Sequence, residues 1–181
     1  GTPGDGSGLN AGLLREVFGQ LVSGVMALHE RGVLHRDLKP SNVLVTDDDR
    51  VVVLDFGLAT PLFVADPGQS VHLVGTLAYA APEQAAGQVL SRASDWYGVG
   101  VVLYEALVGR CPFEGAPIEV LEQKERAQPI PPSAVRAGIP AESELLSLQL
   151  LARDPDRRPQ GGEILDRLKG VGDGTTPRST G

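Results

Sequence analysis

The sequence is poor in cysteine, aromatic residues and positive charge, and it has no long uninterrupted apolar run. The single Cys111 cannot form an internal disulfide, so we expect a cytoplasmic, reducing setting. No apolar run reaches the ~18 residues that a membrane helix requires, and we therefore expect no membrane segment. The formal net charge is -7, which argues against nucleic acid as a partner because binding to a phosphate backbone needs a basic face.

What is present is typical of one globular domain. The chain has 181 residues, of which 41% are hydrophobic and 22% charged, enough to bury a core. The Gly-rich residues 1–8 are expected to be a flexible linker, residues 9–170 the folded domain and residues 171–181 a disordered tail. The chain opens at Gly1, and we expect it to be a piece of a longer polypeptide.

The periodicity of apolar residues predicts mainly helices. Apolar residues recur at three- and four-residue steps from Leu9 to about Arg31, which predicts a long helix ending at Gly32. The following β-branched runs predict a small hairpin, and a long loop should follow it. The predicted elements are a hairpin of Asn42–Val45 and Val51–Leu54, a loop at 58–80, a helix from Ser94 to Gly109 capped by Ser94 or Asp95, a helix from Pro117 to about Ala127, a loop at 129–140, and helices at 142–152 and 162–170.

Two short motifs carry the chemistry. The first is His35-Arg36-Asp37-Leu38-Lys39-Pro40-Ser41-Asn42 and the second is Asp55-Phe56-Gly57. They place an acid, an amide and a second acid at the ends of short strands. Metal-assisted phosphoryl transfer needs such a set: one carboxylate to orient a hydroxyl nucleophile, and two oxygen ligands for magnesium on the phosphates of a nucleotide.

The two motifs resemble the catalytic loop and the magnesium motif of protein kinases. The Leu38-Lys39-Pro40 sequence is similar to that of serine/threonine kinases. By this resemblance, Asp37 orients the acceptor hydroxyl and Lys39 neutralises charge on the γ-phosphate. Asn42 and Asp55 hold Mg²⁺, and Leu44 touches the adenine of ATP.

The resemblance extends beyond these motifs. Gly75-Thr76, followed by Tyr79 and Ala81-Pro82-Glu83, resembles the end of a kinase activation segment. This resemblance implies that Thr76 hydrogen-bonds the Asp37/Lys39 pair and shapes the pocket beside the acceptor. Asp95 is similar to the helix residue that braces the catalytic loop. Arg158 resembles the partner of Glu83. His35 and Phe56 are expected to be core residues, whereas His29 and His72 match nothing and are interpreted as ordinary surface or packing residues.

The resemblance covers the C-terminal lobe of a kinase only. It predicts a mainly α domain, the helical C-lobe, with a small β-hairpin that carries the catalytic and magnesium-binding loops, and an α+β fold for a whole kinase. No lysine precedes Lys39, so the phosphate-pairing lysine of an N-terminal lobe is not in the sequence. The N-lobe of the same parent chain is thus an expected partner, alongside protein substrates with Ser or Thr acceptors. The isolated chain is expected to be inactive.

Two alternatives stay open beside the kinase hypothesis: a catalytically silent, kinase-like interaction module and a small-molecule phosphotransferase. The absence of an N-lobe favours inactivity of this piece, while intact Asp37, Lys39, Asn42 and Asp55 favour catalysis in the parent chain. In the kinase family that the motifs resemble, a phosphorylated activation loop docks on a cation beside the catalytic acid, and Arg36 stands next to Asp37. Ser70 is the candidate phosphosite, and the alternative is that Ser70 is only a polar loop residue and the kinase is regulated in another way.

Overall fold

The structure is a computed structural model that describes residues 10–54 and 77–170. Within these ranges the fold is mainly α, as the sequence predicts. The α-helices are α1 (Ala11–Glu30), α2 (Pro82–Ala85), α3 (Arg92–Val108), α4 (Pro117–Arg126), α5 (Pro132–Val135), α6 (Ala141–Leu150) and α7 (Gly161–Gly170), and the strands are β1 (Val43–Val45) and β2 (Val51–Val53). Short 3₁₀ helices span Pro40–Asn42 and Pro155–Arg157.

The core forms where α1, α3, α6 and α7 pack together. α3 packs against α6, and α1 packs against α7, α3 and β2. The buried residues that join these helices are apolar: Phe18, Leu21, Val22, Val25, Trp96, Val99, Leu103, Leu107, Leu146, Leu150 and Ile164. Because the apolar residues of α1 recur at helical spacing, one face of that helix enters the core and the opposite face stays polar.

The hairpin is antiparallel, with Val43 opposite Val53 and Val45 opposite Val51. It packs on α1 through β2. Gln20 of α1 accepts a hydrogen bond from Val51 N at 3.0 Å and donates one to Asp49 O at 2.8 Å, which fixes the turn of the hairpin to the helix.

α3 begins earlier than the sequence predicts. Ser91 is its N-cap, not Ser94 or Asp95: Ser91 Oγ accepts from Ala93 N at 3.2 Å, and Ser94 Oγ accepts from Ser91 N at 3.2 Å. Ser94 and Asp95 are buried in the first turn, where their side chains bind other parts of the chain. The helix ends at Gly109, whose φ of 82° is the left-handed conformation of a helix C-terminus.

Two glycines of α3 allow close packing. A Cβ on Gly98 would lie 2.9 Å from Leu38 Cβ, and a Cβ on Gly100 would lie 2.6 Å from Leu150 Cβ. The first contact brings the loop of Asp37 directly against α3, and the second lets α6 pack closely on α3.

Several boundaries differ from the sequence prediction. Residues 58–76 of the predicted loop lie outside the described residues, and 77–79 form a helical turn. The short helices α2 and α5 were not predicted, because four residues are too few to show a period. Lys124 is 3% exposed, whereas a lysine on a helix as rich in charged residues as α4 is most simply interpreted as solvated.

Within the described ranges, α1 is the helix long enough and apolar enough to cross a membrane by length and composition. A core helix of a soluble protein passes the same test, and the apolar face of α1 contacts β2, α3 and α7. Charged residues interrupt the apolar residues of α1, so the sequence shows no uninterrupted apolar run over this helix. The absence of a membrane segment stays a prediction.

Candidate active site

The loop between α1 and the hairpin carries Asp37, and its backbone is held by Asp95 of α3. One carboxylate oxygen of Asp95 accepts from His35 N at 2.9 Å, and the other accepts from Arg36 N at 2.8 Å. Arg36 has a φ of 70°, a left-handed conformation that is uncommon for a residue other than glycine. The two hydrogen bonds that Asp95 accepts stabilise this turn and so fix the direction in which the chain continues to Asp37.

His29 of α1 supports the same aspartate, a role that sequence reasoning missed. Its Nε2 donates to Asp95 Oδ2 at 2.8 Å, and its ring meets Trp96 edge-on with centroids 5.0 Å apart. Both His29 and Asp95 are buried. The two residues are 66 positions apart in the sequence, and no local pattern signals their contact.

His35 joins the loop to the end of β2. It is fully buried, its Nδ1 accepts from Asp37 N at 3.3 Å, and its Nε2 lies 2.9 Å from Leu54 O. Because Nδ1 is an acceptor, the ring proton sits on Nε2 and is donated to Leu54. His35 is therefore a packing and connecting residue of the loop.

Asp37, Lys39 and Asn42 lie within hydrogen-bonding distance of one another. Asp37 Oδ2 accepts from Lys39 Nζ at 2.8 Å and from Asn42 Nδ2 at 3.0 Å. Asn42 Nδ2 also donates to Asp37 O at 2.8 Å. Asp37 Oδ1 is buried and has no hydrogen-bond partner among the described residues. Among the described residues, one carboxylate oxygen is thus held by two donors while the other accepts no hydrogen bond.

The first described range ends at Leu54, just before the second motif. Leu54 N donates to Asn42 O at 2.9 Å, and Leu54 O accepts from His35, so the residue preceding Asp55 is bonded to the loop on both sides. The second motif, Asp55-Phe56-Gly57, lies outside the described residues. Two further predicted site residues, Thr76 and Ser70, lie outside them as well.

Glu83 of α2 and Arg158 form a buried, bidentate ion pair. The two hydrogen bonds measure 2.6 and 2.8 Å, and Ser94 Oγ donates to Glu83 Oε1 at 2.8 Å. Arg158 is 3% exposed and also donates to the backbone oxygens of three residues, Ala93, Ala152 and Arg153. Burial by itself raises the pKa of Glu83, but the hydrogen bonds and charge of Arg158 outweigh burial, and the pKa is lowered. The pair ties α2 to the start of α3 and to the segment before α7.

A protein-family model described as "Protein kinase domain" matches residues 5–167. The chain belongs to the protein kinase family. Its kinase domain is similar to "Serine/threonine-protein kinase PknB" of Mycobacterium tuberculosis (strain H37Rv), with 38% identity over 170 residues, 91% of this chain and 27% of that protein. It is also similar to PknB of Mycolicibacterium smegmatis, with 41% identity over 82% of this chain and 24% of the relative. The chain thus spans about a quarter of the length of the curated relatives it matches.

Of the two residues predicted to hold Mg²⁺ in this kinase domain, Asn42 lies among the described residues. Mg²⁺ is bound by carboxylate and amide oxygens, and Asn42, whose Nδ2 donates to Asp37, carries an amide oxygen of this type. Among the described residues, no three His, Cys, Asp or Glu side chains cluster where they could hold a metal ion. The second predicted ligand is Asp55, beyond the described range.

Proposed function

We propose that this chain is the C-terminal, helical lobe of a serine/threonine protein kinase that phosphorylates Ser and Thr hydroxyls of protein substrates in signalling. Family membership supports phosphoryl transfer, and the names of the curated relatives support Ser/Thr acceptors. The observation that carries the proposal is that the two carboxylate oxygens of Asp37 differ in their contacts. Lys39 and Asn42 hold Oδ2, while Oδ1 has no partner among the described residues.

This arrangement suits a residue that orients a hydroxyl nucleophile. Asp37 Oδ1 would accept the hydrogen bond of the acceptor hydroxyl and take its proton as the oxygen attacks. The ammonium of Lys39 offsets negative charge that develops on the transferred group. Bound ATP would supply that phosphoryl group, and Asn42 and Asp55 would hold the Mg²⁺ that offsets the charge of its phosphates.

The exposed side of the hairpin supports the placement of the nucleotide and of an N-lobe. Leu44 is 50% exposed, and two apolar residues of the same face are exposed with it: Val52, which lies opposite Leu44 in the sheet, and Leu54, two residues after Val52. Exposed apolar surface of this kind commonly marks a binding site or an interface. We assign Leu44 to contact with the adenine and the surrounding surface to contact with the N-lobe. We place this kinase domain in the cytoplasm, where ATP is available.

The test compares this chain with a version extended upstream to include the N-lobe residues of the parent. The extended protein should transfer labelled phosphate from ATP to protein, and mass spectrometry should find it on Ser or Thr. The 181-residue chain alone should bind ATP very weakly and transfer none, because the Gly-rich loop, the phosphate-pairing lysine and the adenine-binding hinge are not in its sequence. Calorimetry measures this ATP binding, and a micromolar affinity of the chain alone would contradict the prediction. An extended protein that binds ATP without transferring phosphate would instead favour the interaction module.

We further propose that phosphorylation of Ser70 regulates the kinase. Arg36 is exposed, and its left-handed backbone conformation is held by Asp95 directly beside Asp37. A phosphate on the activation segment could pair with this guanidinium and so order the segment next to the acceptor site. Mass spectrometry of the active parent should find phosphate on Ser70, and Ser70→Ala should lower activity. Full activity with an unmodified Ser70 would reject the proposal.

A further inference from the structure

Lys124 of α4 is a buried lysine whose ammonium contacts the backbone that leads into α2. Its Nζ donates to Leu77 O at 2.7 Å, to Ala78 O at 2.9 Å and to Ala80 O at 2.5 Å. The side chain is 3% exposed, and the contacts span 44 to 47 positions of sequence. One side chain therefore fixes three peptide groups of a segment that lies far away in the sequence.

The chemistry of the contact favours a charged lysine. An ammonium has three N–H donors, so it can serve all three carbonyl oxygens at once, whereas a neutral amine has only two. The ring of Tyr97, with its centroid 5.1 Å from Nζ, adds a favourable cation–π contact. Burial acts in the opposite direction and lowers the pKa of Lys124 to about 7. An apolar side chain would fill the same space without burying a charge, so packing alone does not account for a lysine here.

The segment that Lys124 holds is anchored to α3, and α2, which follows it, contacts the loop of Asp37. Tyr79, within the segment, donates to Glu105 at 2.5 Å, which anchors it to α3. Gln84 Nε2, in α2, donates to Arg36 O at 2.7 Å, one residue before Asp37. Residues 77–80 follow Thr76 directly, the residue assigned to the pocket beside the acceptor. Their backbone conformation therefore bears on how an acceptor segment lies relative to Asp37.

We propose that Lys124 is a positioning residue for the protein substrate. It holds the carbonyl groups of Leu77, Ala78 and Ala80 so that residues 77–80 present a fixed surface to the acceptor segment. The proposal rests on the proposed kinase function and adds to it a determinant of substrate binding on α4, outside the catalytic and magnesium motifs.

The test uses the active parent protein with Lys124→Met, which keeps the length of the side chain but removes all three donors. The KM for the protein substrate should rise roughly tenfold, while the KM for ATP and the slow hydrolysis of ATP by water stay within about twofold. Water needs no docking surface, so hydrolysis reports an intact catalytic loop. Hydrogen exchange should be faster at the amides of residues 77–80.

Two variants separate positioning from general stability. Val120→Ala removes buried apolar volume from the same helix, so it should lower the melting temperature and leave the KM for the substrate unchanged. Lys169→Met changes an exposed lysine on α7 and should alter neither quantity. If Lys124→Met and Val120→Ala raise the substrate KM equally, Lys124 is merely structural and the proposal is wrong.

If Lys124→Met does not fold, Lys124→Arg provides the answer. Arginine keeps the positive charge, but its planar donors cannot reach three carbonyl groups from one point, so the substrate KM should still rise about threefold. A substrate KM equal to wild type, in whichever of these two variants folds, overturns the proposal. A wild-type parent that transfers no phosphate at all would instead contradict the proposed kinase function, so the two failures are distinguishable.

Discussion

Replacing Asp37 by Asn in the extended protein should lower phosphoryl transfer to protein by about 10²–10⁴-fold, the usual contribution of a general base. The amide cannot take a proton from the acceptor hydroxyl. ATP affinity should stay nearly constant, because Asp37 serves the hydroxyl and not the nucleotide. The melting temperature should change little, since the pair of Asp37 with Lys39 is partly exposed and such pairs contribute ~1 kcal/mol or less.

Asp55→Ala should give the opposite pattern and abolish magnesium-dependent nucleotide binding. Asp48→Asn is the matched control for Asp37→Asn, because Asp48 is an exposed aspartate in the hairpin turn and should leave turnover unchanged. Radiolabelled phosphate transfer, combined with a nucleotide titration, measures both effects. Near-normal turnover of Asp37→Asn would mean that another group accepts the proton.

Replacing Glu83 by Gln should lower the free energy of unfolding by about 3–5 kcal/mol at neutral pH, because the charge of Arg158 would stay buried without a counterion. Glutamine preserves the shape of the side chain and can still accept from Ser94. The loss of stability therefore results from removal of the negative charge and not from a cavity. Glu122→Gln, on the exposed face of α4, is the matched control and should have almost no effect.

The effect of Glu83 should depend on pH in a defined direction. The pKa of Glu83 is lower in the folded protein than its ordinary value of 4.5, so the folded state favours the carboxylate. Its stabilising contribution is fully present above that ordinary value and is lost as the pH falls through the lowered folded pKa. Denaturant unfolding at a series of pH values should show the gap between wild type and Glu83→Gln closing below pH 4.5. A gap of constant size down to the lowest pH at which the protein folds would contradict this assignment.

The sequence determined the local features of this protein. Helix α1 follows from apolar residues at helical spacing, and the hairpin follows from two β-branched runs around an acidic turn, because both patterns act over a few residues. The relation of Asp37 to Asn42 is also local. Five positions separate them, and a 3₁₀ turn at Pro40–Asn42 brings the amide back to the carboxylate. The pairing of Glu83 with Arg158, 75 positions apart, was expected only through resemblance to a family.

The tertiary structure decided the residues whose partners are distant in sequence. The sequence predicted Ser94 or Asp95 as the cap of α3, but both lie inside its first turn and Ser91 caps it. Asp95 instead binds the loop of Asp37, and Ser94 binds Glu83 as well as Ser91. His29 carries no local signal, since its partner Asp95 is supplied by another helix.

Lys124 is a further residue whose environment depends on partners that are distant in sequence. On a helix rich in charged residues, a lysine is most simply interpreted as solvated, because an isolated buried ammonium is costly. Only the folded chain brings three carbonyl groups of residues 77–80 and the ring of Tyr97 to that lysine, and these contacts offset the cost of burying its charge.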